Sequence, residues 1–132
     1  MKRCRAGSIR QLRPRAFFNS RLHIKFLDLP GSFPVAVAHE IIHENGAAIP
    51  WGVHKRTAEF IYVLSGRARA CLGNVTRVIR PGDYLVIPPG VKHRIVTGKE
   101  PLVALSVFSP PMGFGNLDAA ACPPPRKVRK AA

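Results

Sequence analysis

Proline and glycine recur along this chain in a rhythm that leaves no room for long helices. Pro30-Gly31, Asn45-Gly46, Gly66, Gly73-Asn74, Pro81-Gly82-Asp83, Pro88-Pro89-Gly90 and Ser109-Pro110-Pro111 cut the middle of the sequence into short runs. The runs between them are rich in Val, Ile, Leu and aromatic residues, which suit a pleated, half-buried surface. Strands are predicted over Leu22 to Leu29, Val35 to His43, Glu59 to Ser65, Arg67 to Leu72, Val75 to Ile79, Tyr84 to Ile87, Arg94 to Val96 and Leu102 to Phe108. Only a weak turn near Asn116 to Ala121 has any helical character. Many short strands at this spacing predict an all-β antiparallel sandwich or barrel. At 132 residues the chain is long enough for one such core and too short for two.

Local signals add connections. Gly73-Asn74 fits a two-residue hairpin turn between the runs on either side of it. The runs flanking Gly66 read as a second hairpin. Glu59 to Ser65 is apolar on both faces apart from its ends, so both faces need cover. One face would line the barrel. The other, with Phe60, Tyr62 and Leu64, predicts a homodimer contact or cover by other parts of the same chain.

The net charge of +14 belongs mostly to the ends. Residues 1–22 hold seven Lys or Arg and no acid, and residues 126–132 hold four more. Residues 23–122 keep ten basic and all seven acidic residues, a net of +3. The expected organisation is therefore a basic extension over 1–22, a folded unit over 23–112 and a Pro-rich basic tail over 113–132, both ends flexible and dispensable for folding. Few aromatic residues interleave with the basic ones, so nucleic acid is not an expected partner. No 18-residue apolar run exists to span a membrane. Cys4, Cys71 and Cys122 are odd in number and unpatterned, which suits a reducing, cytoplasmic setting better than a disulfide framework.

Chemistry-bearing residues gather in two segments. Gly52-Val53-His54 is followed by Glu59 at the head of an apolar strand, and His93 follows the rigid Pro88-Pro89-Gly90 turn. A carboxylate entering an apolar interior must be ligated or hydrogen-bonded, because an unpaired buried charge is costly. Two histidines and one carboxylate form a ligand set for first-row divalent ions with coordination positions left open. His54, Glu59 and His93 are the candidate metal ligands.

The spacings resemble the two signature motifs of the cupin superfamily. The first motif is commonly Gly, five residues, His-x-His, three or four residues, Glu, six residues, Gly. Gly46, His54, Glu59 and Gly66 fit it, and Gly52 stands where the family usually has its first histidine. The second motif is Gly, five residues, Pro-x-Gly, two residues, His, three residues, Asn. Gly82, Pro88, Gly90 and His93 fit it, with Thr97 in place of Asn. The resemblance covers about residues 35 to 109 and implies a double-stranded β-helix, or jelly-roll, barrel. It also implies a divalent ion (Fe, Mn, Ni or Zn) and a small oxygenated ligand, with Arg56, Arg67 and Arg94 available to an anionic substrate. His39 and His43 are candidates either for a replacement ligand or for local packing. A metal-free binding or sensing protein is the alternative that Gly52 leaves open.

Overall fold

The computed structural model describes residues 3–126. Lys2 and the basic residues Lys127, Arg129 and Lys130 lie outside the described residues. Eleven strands run in order: β1 (Arg15–Phe17), β2 (Leu22–Phe26), β3 (Ala36–Ile42), β4 (Gly52–Val53), β5 (Ala58–Ser65), β6 (Ala68–Leu72), β7 (Val75–Ile79), β8 (Tyr84–Ile87), β9 (His93–Thr97), β10 (Leu102–Ser109) and β11 (Ala120–Ala121). They form a six-stranded sheet, β1-β2-β3-β10-β5-β8, and a five-stranded sheet, β11-β4-β9-β6-β7, with every ladder antiparallel. Each predicted strand is present, within a few residues at its ends.

Alternation along the strands builds the interior. On β5 the buried positions are Glu59, Ile61 and Val63, and on β10 they are Leu102, Ala104, Ser106 and Phe108. These pack with Ala68, Ala70 and Ile95 of the opposite sheet and with Ile79, Leu85 and Ile87. A second cluster of Ala38, Phe108 and Met112 closes one end.

The β6–β7 hairpin forms around Gly73 as expected, with Leu72 opposite Val75. The hairpin expected at Gly66 does not. Both hydrogen-bonding edges of β5 are occupied, by β10 and by β8, so β6 has no edge to pair with and crosses to the other sheet. Gly66 makes that corner at φ +85°, where a Cβ would sit 2.0 Å from the Pro101 carbonyl oxygen. Only glycine fits there.

The segments outside 23–112 also contribute structure. β1 extends the larger sheet, and β11 pairs with β4. Aromatic packing draws them in: Phe114 stacks on Phe17 at 6.3 Å and meets Phe26 edge-on at 4.8 Å, with the Arg15 guanidinium 4.5 Å above its ring. Residues 113–119 hold no helix; the weak turn read near Asn116 is a bend in which Asn116 caps Gly113. No helix among the described residues is long and apolar enough to cross a membrane.

Candidate metal centre and its cavity

His54 leaves β4 facing inward and Glu59 enters at the start of β5, while His93 opens β9 directly opposite Gly52. The three come together. Their ligand atoms all lie within 4.8 Å of one another, with His54 Nε2 3.0 Å and His93 Nε2 3.7 Å from the same Glu59 oxygen, Oε1. Donors bound at about 2.1 Å around one tetrahedral or octahedral ion stand roughly 3.0–3.5 Å apart, close to the two histidine-to-Glu59 separations of 3.0 and 3.7 Å.

The far side of each imidazole is fixed by backbone. His93 Nδ1 donates to the Val91 carbonyl at 3.0 Å, and His54 Nδ1 donates to the Asp118 carbonyl. Both rings therefore carry a proton on Nδ1 and turn Nε2 toward Glu59, the arrangement that orients metal-binding histidines. Burial alone would lower the His54 pKa, but the hydrogen bonds to Glu59 and to the Asp118 carbonyl, with the two negative charges, outweigh it and raise it. The 3.0 Å separation of His54 Nε2 from Glu59 Oε1 is a hydrogen bond whenever that nitrogen carries a proton.

Asp118 was not read from the sequence. Its carboxylate accepts the N–H groups of Arg56 at 2.7 Å, Thr57 at 2.9 Å and Lys55 at 3.1 Å. The Arg56 bond foremost, with those of Lys55 and Thr57, holds its pKa down at about 2. The residue thus pins the loop between His54 and Glu59 from 61 to 64 positions away. The only hint available was that it is the single acid after residue 100.

Glu40 was also missed. It shares the inward face of β3 with the buried residues Ala38 and Ile42 and is itself half-buried. Burial first, then the charge of Glu59, push its pKa up to about 8, against weaker pulls from Ser106 and His54. Period-two alternation from buried Ile42 was the signal that could have found it.

The same alternation turns His39 and His43 away from the centre. His39 sits opposite Lys25, and burial and that positive charge lower its pKa. His43 Nε2 lies 2.8 Å from His23 Nδ1. Neither joins the cluster, so neither replaces the missing first histidine. Of the arginines offered for an anionic substrate, Arg56 and Arg67 are exposed. Arg94 reaches the cavity wall, yet its guanidinium is held by the carbonyls of Ile49, at 2.8 Å, and Ala47. Thr97, in place of the usual Asn, bridges two loop groups: its hydroxyl donates to the His43 carbonyl at 2.6 Å and accepts the Gly46 N–H at 2.8 Å. A Cβ at Gly46 would meet that hydroxyl at 2.6 Å, so the two residues fit as a pair.

The cluster opens into a cavity of about 370 Å³ within the barrel. Its walls are mainly apolar, including Phe17, Phe26, Ile61, Phe108 and Met112, with Trp51 and Gly52 beside the histidines. A Cβ at Gly52 would meet only the Ala120 carbonyl, at 3.7 Å, so the backbone leaves space for a side chain there.

Known proteins place this arrangement. The chain is 40% identical over 53 residues to the uncharacterised protein SCO3923 of Streptomyces coelicolor, a match covering 40% of this chain and 50% of that one. It therefore spans half the length of that relative. Among solved structures, the Streptomyces nucleoside dehydratase Pac13 superposes with a TM-score of 0.73 at 11% identity, over 96% of this chain and 95% of its own. The polyketide cyclase RemF of Streptomyces resistomycificus gives 0.69 at 23% identity, over 81% and 80%. At such identities both likenesses speak for the fold alone. The cupin domain family matches residues 38–108, more than half of the chain and all three clustered side chains. This protein is a member of the cupin family.

Proposed function

We propose that this cupin binds a divalent metal ion through His54 Nε2, Glu59 and His93 Nε2 and acts on, or binds, a small oxygenated molecule in the apolar cavity above it. The carrying observation is the convergence of three donors whose two imidazoles are each locked from behind by a backbone carbonyl. The chemistry of the donor set favours Fe, Mn, Ni or Zn. A bound ion would supply Lewis acidity or an oxygen-binding position. The protein would supply a cavity whose mainly apolar walls hold the ligand next to His54, Glu59 and His93. The related enzymes act on nucleosides and polyketides, which suits a cavity of this size and wall chemistry.

A second reading rests on Gly52. With the first histidine absent, the proton shared by His54 and Glu59 would itself complete the centre, and the protein would bind its ligand without metal. Elemental analysis of protein purified without a histidine tag separates the two. Close to one equivalent of a first-row metal is expected, falling at least tenfold in His93→Ala with the fold retained. Gly52→His is expected to tighten binding, since that position lies across from His93 and has room for a side chain. Metal content at background in wild type and in Gly52→His alike would leave the metal-free reading.

A further inference from the structure

Beyond the three clustered residues, the charged side chains on the cavity wall are Glu40 and Arg94. Arg94 is already taken by two backbone carbonyls. Glu40 has no such employment. It occupies an inward position between the core residues Ala38 and Ile42, where a carboxyl group weakens the fold unless something satisfies it. The ion pairs of the described residues are Arg5–Asp28, His54–Glu59 and His93–Glu59, so Glu40 has no cationic partner among them. The nearby hydroxyl, Ser106 Oγ, is buried and close enough to draw the Glu40 pKa down, yet it reaches no partner in hydrogen-bonding geometry. Glu40 is half-buried, and the space it lines is the cavity. A residue that breaks the apolar pattern without benefit to packing marks a functional position. Carboxyl oxygens accept hydrogen bonds whether ionised or protonated, so the partner required is a donor.

We propose that Glu40 is a specificity residue that accepts a hydrogen bond from a hydroxyl or amine of the ligand, selecting a largely apolar, ring-sized molecule with a donor group facing β3. This rests on the reading of the cavity as the ligand site, and it names a feature of the ligand which that reading leaves open. Selection follows from the cost of leaving Glu40 unpaired. An analogue of the same shape without the donor buries the carboxyl against a group that cannot satisfy it.

The test compares 2-naphthol with 2-methoxynaphthalene by titration calorimetry on the full-length protein, metal-loaded and metal-stripped. Wild type is expected to bind the naphthol at least tenfold more tightly. Glu40→Gln, which keeps an acceptor oxygen, should retain that preference, and Glu40→Leu should reduce it to less than twofold. The melting temperature of Glu40→Leu should hold or rise, because an apolar side chain suits the wall better. The preference should survive in His93→Ala, since it does not depend on the ion. Equal binding of the two probes by wild type overturns the proposal. So does a preference that persists in Glu40→Leu or vanishes in His93→Ala, either of which places the hydroxyl at the histidine cluster. A lower melting temperature in Glu40→Leu overturns it as well, by giving Glu40 a structural role. None of these readings uses metal content, so failure of the metal reading and failure of this one are told apart.

Discussion

The two nitrogens of His54 have separate partners, and that division governs how the centre responds to pH. Nδ1 is committed to a carbonyl, so only Nε2 can exchange a proton for a metal ion. In the metal-free protein the His54 pKa is raised and that of Glu40 is raised to about 8. A group whose pKa rises on folding stabilises the fold fully below its unfolded pKa, and that contribution is lost as pH rises through the folded value. Metal-free protein is therefore expected to be more stable at pH 5.5 than at pH 8.5. The slope is at most about 1.4 kcal/mol per pH unit for each retained proton. Asp118 has the opposite sense, since its pKa is lowered; its contribution is lost only as pH falls below about 4 toward 2. Urea unfolding across that range checks the slope, and Glu40→Gln should flatten the share belonging to Glu40. Stability that climbs toward pH 8.5 would show that neither group keeps its proton. At this scale the cluster was legible because its three members sit in motifs with fixed spacing. Glu40 was concealed in a strand read for its Val, Ile and Ala content and for its two histidines, which lie on the opposite face. Asp118 acts across more than sixty residues, and no local pattern encodes such a contact.

Among the elements, strand existence was read well because alternation and turn residues are local. Pairing was read less well. The false hairpin at Gly66 arose from treating adjacency in sequence as adjacency in a sheet, whereas β5 spends both its edges on β8 and β10. The short strands β1 and β11 escaped notice because two or three residues carry no periodic signal. They are held by aromatic contacts and by ladders made elsewhere. β11 matters most for function, since the segment leading into it carries Asp118 and its ladder covers Gly52. A chain ending at residue 115 is accordingly expected to lose at least tenfold in metal affinity. That is the usual effect of removing the groups that orient metal-binding histidines. Asp118→Ala in the full chain should reproduce much of the loss with little change in melting temperature, as measured by competition with a chromogenic chelator and by calorimetry. Unchanged affinity in both would mean that the loop from His54 to Glu59 holds itself.

Over the whole molecule, the outer face of the larger sheet is its least balanced feature. Phe60, Tyr62 and Leu64 of β5 are 37%, 41% and 41% exposed, and Tyr84 and Val86 of the edge strand β8 are 65% and 62% exposed. The Phe60 and Tyr84 rings stack at 5.8 Å, forming one continuous apolar patch. Such patches mark association surfaces, and an edge strand beside one offers unpaired backbone as well. A second copy of the chain is the proposed occupant. Light scattering at micromolar concentration is expected to give about twice the 14.5 kDa chain mass, and Tyr84→Arg should halve it while leaving the circular dichroism spectrum unchanged. A wild-type mass of one chain would leave the patch to another partner. The tie between His54 and Asp118 has a further consequence in time. Sixty-four residues separate them, and at about 5–20 residues per second the ribosome needs roughly 3–13 s to make that stretch. Throughout that interval the histidine exists without the carbonyl that aims it. An imidazole made before residue 118 therefore lacks the contact that turns its Nε2 toward Glu59.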